Sequence, residues 1–180
     1  TMPLSNTDWV DAISHTGFSQ NYNVALSKAN DKSSQLFSLG YKNNKGILKY
    51  TNFESLSARM NTSFNVSKMV TVGENFTLSY TKQVDSAPME NALKMSTTVP
   101  VYETDGTTFA GPVGGMSDRQ NPLRELYHNK DNHLDYWRLF GNAYIDIKPF
   151  KGLVFRSNFG IDYTTSFINA MTHTFKSDIV

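Results

Sequence analysis

The sequence contains no cysteine, which excludes disulfides, thiolate metal sites and a cysteine nucleophile together. No run approaches 18 apolar residues, so no transmembrane helix is encoded. A basic n-region followed by an apolar h-region is also missing. The chain therefore carries no signal peptide and, if exported, is expected to be part of something longer. Charge is nearly balanced, +1 in all, and gives no electrostatic case for nucleic acid or for an anionic membrane surface.

Arrangements that carry chemistry are equally scarce. His128 and His133 are five apart, off the spacing that places two ligands on one helical face, and His15 and His173 are remote. Asp131, Asn132 and Asp135 lack the ligand spacing and central glycine of a calcium loop. No Gly-x-Ser-x-Gly elbow occurs, and Gly114-Gly115 lacks the lysine of a phosphate loop. The Asn-x-Ser/Thr triplets at Asn61, Asn65 and Asn75 fall inside strand-like stretches and read as pattern. We expect no enzyme, no metal and no cofactor.

What the sequence does have is polar and aromatic character at once. Only 39% of residues are hydrophobic, yet 13% are aromatic, and Asn, Ser and Thr abound. Strands with one face on lipid and one on water have this composition, with aromatics at the two interfaces. From Thr51 to about Thr81 the chain alternates strictly. Leu56, Ala58, Met60, Thr62, Phe64 and Val66 interleave with Ser55, Ser57, Arg59, Asn61, Ser63 and Asn65; Val72, Phe76, Leu78 and Tyr80 interleave with Gly73, Asn75, Thr77 and Ser79. Period two means strands with one apolar and one polar face. The arms run to roughly 12–15 residues, beyond the five or six usual in soluble strands. A tilted membrane-spanning strand needs about 9–11.

The same alternation predicts strands over 18–28, 33–42, 134–147 and 152–163. The connections then alternate in length. Short turns fall at 29–32, 66–69 and 148–151, and loops at 1–16, 43–50, 85–133 and from 164. Short turns at one rim and variable loops at the other mark an outer-membrane barrel. A soluble sandwich has no reason to keep that asymmetry. Six strands are too few for a barrel with a lumen; large plugged transporters have about 22.

The fold expected is thus all-β, an antiparallel up-and-down meander of about six long strands forming part of a large transmembrane barrel. Residues 1–16 form an extracellular loop with a short helix, capped by Thr7 or Asp8 and ended by Gly17. Strands 1–4 occupy 17–84, a long extracellular loop 85–133, strands 5–6 134–163, and a further extracellular loop starts at 164–180. In the long loop, punctuated by Pro88, Pro100, Pro112 and Pro122, one short helix is expected at Met89–Met95. A connection this long marks function, and its aromatic residues argue that it folds over an opening.

With these residues assembled, the sequence resembles the SusC/RagA-type TonB-dependent transporters of the Bacteroidetes outer membrane. The likeness rests on Asn6-Thr7-Asp8-Trp9, Asp11-Ala12-Ile13, Thr16-Gly17-Phe18, Gln20-Asn21-Tyr22-Asn23, Phe37-Ser38-Leu39-Gly40-Tyr41 and Gly46-Ile47. It continues through Ser57-Ala58-Arg59-Met60-Asn61, Val72-Gly73-Glu74-Asn75, Val99-Pro100-Val101-Tyr102, Gly141-Asn142-Ala143-Tyr144 and Asn158-Phe159-Gly160-Ile161-Asp162-Tyr163. Where the family often has Gly-Gly-Ser in its first tight turn, this chain has Lys28-Ala29-Asn30. The resemblance implies a barrel in the bacterial outer membrane, in contact with its lipid and plugged by an N-terminal domain. It further implies energising by TonB through that plug, a SusD-like surface lipoprotein over the mouth, and uptake of oligosaccharide or peptide. Neither plug nor TonB-gripping segment is expected among these residues.

Candidate ligand-binding residues follow from phase and exposure. Arg59, Asn61, Arg138 and Arg156 fall on the polar phase and so towards a lumen, because an arginine facing lipid costs about 2–4 kcal/mol at midplane. They either line a substrate path or pair with carboxylates such as Asp146 and Asp162. Tyr102, Phe109, Tyr127, Tyr136 and Trp137 can stack on sugar rings or pack a loop on itself. Trp9 either pins its loop or touches ligand. The competing fold is a soluble β-sandwich carbohydrate-binding module, which would bury Phe37, Leu39, Met60, Phe64, Leu78 and Phe155 against a second sheet.

Overall fold

The computed structural model describes residues 5–111, 114–115 and 119–174. Pro112 and the ends of both terminal segments lie outside these residues. The chain forms one six-stranded antiparallel sheet in sequence order: β1 (Phe18–Ala29), β2 (Ser33–Lys45), β3 (Asn52–Asn65), β4 (Val70–Val84), β5 (His133–Ile147) and β6 (Phe155–Asn169). The described residues contain no second sheet and this one is not closed. Phe37, Leu39, Met60, Phe64, Leu78 and Phe155 are accordingly 42–62% exposed, and the sandwich reading fails on that point.

The registers turn the sequence alternation into continuous rows. On the apolar face, Val24, Leu39, Ala58, Leu78, Leu139 and Tyr163 lie side by side, and Leu26, Phe37, Met60, Phe76, Gly141 and Ile161 form the next row towards the turns. Towards the loops comes an aromatic row holding Tyr22, Tyr41, Tyr80 and Trp137, and beyond it a polar row with Glu54, Lys82 and Asp135. The two rows are joined: Tyr41 Oη donates to Glu54 at 2.9 Å and Tyr80 Oη to Asp135 at 2.8 Å. Rings in the apolar band with hydroxyls reaching a polar fringe are how tyrosines sit at a membrane interface.

Three tight turns close one rim. Asn30 Oδ1 accepts from the amides of Lys32 and Ser33, and Ser67 Oγ from those of Met69 and Val70, local bonds that hold such reversals. The third turn is longer than expected, 148–154, with Gly152 at φ 92°. Strand β6 departs most from the expectation. It begins at Phe155 and runs to Asn169, so 164–169, expected as loop, is strand. The cause is its neighbour: β5 starts at His133, and the ladder pairs His133 with Asn169 and Arg138 with Thr164. The run Thr164-Thr165-Ser166-Phe167-Ile168 is β-branched and aromatic enough to follow.

One strand glycine makes room for a ring. On the polar face Tyr144 lies over Gly73; a Cβ there would sit 2.5 Å from the Tyr144 ring and 2.7 Å from the Thr62 carbonyl oxygen. Gly73→Ala is therefore expected to destabilise the wall by roughly 1–3 kcal/mol, the usual effect of overpacking. Removing the ring as well (Tyr144→Ala) should recover only part, because the Thr62 backbone stays in place. A urea midpoint for each variant checks this.

The other rim carries a small folded cap. It contains α1 (Trp9–Ile13), α2 (Met89–Lys94) and α3 (Pro122–Asn129). Trp9, Ile13, Ala92, Met95, Val99, Ala110, Leu123 and Leu126 form its core. Asp8 caps α1 by accepting from the Asp11 amide. Trp9 is buried, its Nε1 donating to Ser96 O at 3.0 Å, which favours the pinning role over ligand contact. The β2–β3 loop joins in: Lys49 Nζ donates to Ala12 O at 2.7 Å, and His15 N to Ile47 O at 2.8 Å. Beyond β6, Asn132 and Met171 exchange two hydrogen bonds. The sequence predicts one helix in 85–133; the described residues of that loop form two. Asn121, the N-cap of α3, and Pro122 in its first turn were the available signal.

Candidate functional site

Two groups of side chains offer binding chemistry, one on the polar face of the wall and one on the cap. On the wall, Arg59, Asn61, Asn75, Thr77, Asn142 and Asp162 surround an open depression of about 640 Å³. Its floor is a ladder of amides: Asn75 Nδ2 donates to Asn142 Oδ1 at 3.2 Å, and Asn142 Nδ2 to Asn158 Oδ1 at 2.6 Å. The period-two rule places these asparagines in phase, since residues two apart on a strand share a face. Each keeps unused donor and acceptor capacity for a ligand.

The three arginines divide. Arg138 binds Asp162 in a fork, Nε–Oδ1 2.8 Å and Nη2–Oδ2 2.7 Å. Arg156 holds Asp146 likewise at 2.6 and 2.7 Å, its guanidinium stacked 4.6 Å from the Tyr144 ring. Both are cross-strand neighbours, so the carboxylate partners considered from the sequence are the ones found, and these two arginines are structural first. Arg59 is exposed and has Thr77 Oγ1 at 3.4 Å; it makes no ion pair among the described residues. Of the three arginines it is the one whose guanidinium is not taken up by a carboxylate among the described residues.

On the cap, Tyr102, Phe109 and Tyr127 come together. Tyr102 and Phe109 are 5.1 Å apart and paired as a β-bridge, and Phe109 lies 5.5 Å from Tyr127. Tyr50 adds an edge contact to Tyr127 at 5.8 Å. Tyr50 was missed from the sequence. It sits at φ 66°, the one non-glycine residue with positive φ among those described, a conformation that persists only where its surroundings enforce it. Here the enforcing bonds are Thr51 N and Oγ1, both donating to Leu48 O. Trp137 does not join this group. Its odd phase puts it on the apolar face beside Tyr80, centroids 4.9 Å apart, so it belongs to the interfacial row; Tyr136, one residue away, takes the polar face.

The cap's ionisable groups are held by local bonds. Asp105 accepts from the Thr107 and Thr108 amides and from Thr108 Oγ1. The Thr108 hydroxyl bond foremost, then the two amides, lowers its pKa to about 2. Because the folded value lies below the unfolded 3.8, the contribution is complete above about pH 4 and is lost as pH falls through 2. Amide exchange at Thr107 and Thr108 should rise over that window, and Asp105→Asn should remove the pH dependence. Burial, followed by the charges of His173, Arg124 and Lys130, lowers the His128 pKa and favours the neutral imidazole.

No family model matches the chain. Over 93% of its length the chain is 29% identical to TonB-dependent receptor P26 of Formosa agariphila. It is 27% identical, over 80% of its length, to TonB-dependent receptor SusC of Bacteroides thetaiotaomicron. It spans 17% of each of those relatives. Among solved structures, the RagAB peptide transporter superposes with a TM-score of 0.74 at 19% identity, over 89% of this chain and 19% of that one; the RagAB peptide importer in its closed-closed state gives 0.72. The fold is that of a stretch of the RagAB barrel structures, and the curated relatives that the chain resembles are TonB-dependent receptors. Among these relatives SusC gives the type that the chain resembles.

Proposed function

We infer that this chain supplies wall and extracellular cap to an outer-membrane importer of oligosaccharide or peptide. In this reading a SusD-like surface lipoprotein closes the mouth, and TonB drives transport through a plug domain outside this segment. The observation that carries it is the gathering of every long connection into one cored cap at a single rim, beside a polar face floored by amides and Arg59. Loops with their own core are binding elements, not slack chain. Amides and arginine bond equally well to sugar hydroxyls and to peptide groups, and exposed cap aromatics suit the apolar faces of sugars and side chains.

The test uses the full-length transporter. Excising residues 89–129 is expected to leave the barrel folded while abolishing co-purification of the lipoprotein and uptake of labelled oligosaccharide or peptide. Undiminished partner capture and uptake after excision would overturn the assignment of the cap.

A further inference from the structure

The net charge of +1 hides an uneven distribution. The strand ends and turns of the short-turn rim carry Lys28, Lys32, Lys68, Lys148 and Lys151, with Asp31 as the one carboxylate in the turns themselves. None of these lysines makes an ion pair among the described residues. Asp146 at the same rim is engaged by Arg156 on the polar face. The balanced total therefore misleads: locally this rim is cationic, contrary to what net charge suggested about anionic membrane surfaces.

On the apolar face the rim adjoins a shallow groove of about 430 Å³ across β1, β2 and β3. Leu26, Phe37 and Met60 form its apolar length, and Lys28, Gln35 and Thr62 its polar end, one row nearer the turns. A cation and an amide at the rim, followed inwards by three flexible or aromatic apolar side chains, repeat the order of a phospholipid from headgroup to acyl chain. Long lysines at such a boundary lay their methylenes on apolar surface and their ammonium at headgroup level. Clustered lysines at that depth are attracted to anionic lipid.

We propose that the groove and the lysine rim form a binding site for an anionic phospholipid of the periplasmic leaflet. An acyl chain lies over Leu26, Phe37 and Met60, and the phosphate is met by Lys28 with Lys32 beside it. Lys68, Lys148 and Lys151 extend the same preference along the rim. This rests on the barrel orientation above, in which the short turns are periplasmic.

The experiment places the full-length transporter in nanodiscs of equal phosphatidylglycerol and phosphatidylethanolamine, then counts the lipids retained after detergent release by native mass spectrometry. Phosphatidylglycerol should be enriched over phosphatidylethanolamine. K28Q/K32Q should lower its retention by about fivefold or more, the effect expected of losing even one such charge. The charge-matched pair K45Q/K82Q, at the opposite rim, should change nothing. Equal retention of the two lipids, or retention indifferent to K28Q/K32Q, would overturn the site. Heat-modifiable migration in the same samples separates the two failures. A folded barrel without lipid preference defeats only the lipid site, whereas a chain that never embeds defeats the barrel orientation.

Discussion

Replacing Asn121 by leucine is expected to open the cap while leaving the barrel wall intact. Asn121 is fully buried at the junction of α3 and the 101–110 hairpin. Its Oδ1 accepts from the amides of Leu123 and Arg124, at 3.0 and 3.2 Å. Its Nδ2 donates to the carbonyls of Val101 and Ala110, both at 2.9 Å. One amide thus caps a helix and ties down two further strands of chain. Leucine has similar volume but no polar atoms, so the helix cap is lost, at about 0.5–2 kcal/mol. The Ala110 carbonyl, left buried without this partner, adds about 1–3 kcal/mol, whereas Val101 O still accepts from the Ala110 amide at 3.1 Å. A core of eight side chains, Trp9 the one large ring among them, has little margin against such a loss. Rapid proteolysis within 85–132, with strand protection unchanged, is the expected result. Asn121→Asp keeps the capping oxygen but turns a charged acceptor towards the Val101 and Ala110 carbonyls, so at neutral pH it should open the cap as well.

Arginine at Met60 should be the most damaging single change in the wall. Met60 stands in the apolar row between Phe37 and Phe76, 46% exposed, with no second sheet over it among the described residues. Facing lipid, an arginine costs about 2–4 kcal/mol near the midplane and less towards the interfaces. Asn75→Arg, on an adjoining row of the opposite face, should cost well under 1 kcal/mol, since a lumen-facing guanidinium stays hydrated. Urea titration of the intact barrel in lipid vesicles measures both. Equal losses would mean that the two faces do not see different solvents, and the membrane reading would fall with them.

Much of the wall was legible because a strand has a rigid period of two. Once Leu56, Met60 and Phe64 were in phase, the face of Arg59 and Asn61 was settled with no tertiary knowledge. Antiparallel turns as short as 29–32 and 66–69 left no freedom in how neighbouring strands pair. The same periodicity held the right answer for Trp137, whose odd position matches Leu139. Residue type alone groups Trp137 with the loop aromatics, but its phase outweighs type because a strand's period of two fixes the face.

The length of β6 and the second cap helix were less legible. Thr164 to Asn169 is strand because β5 offers it a ladder; in isolation so polar a stretch reads equally well as loop. Likewise α3 is eight residues long, too short to persist on propensity alone. It exists because Leu123 and Leu126 have the α1 and α2 side chains to pack against.

The sequence by itself determined which residues share the apolar face of the wall and which the polar face, and which rim is tight and which is looped. These are properties of neighbours along the chain. Only the tertiary structure decided that Trp9, the 46–51 loop and the 85–132 loop make one cap, that Arg138 and Arg156 are engaged while Arg59 is not, and that five lysines share one rim. Those are contacts between residues tens of positions apart. Chain order cannot specify them until the register of every strand between has been fixed.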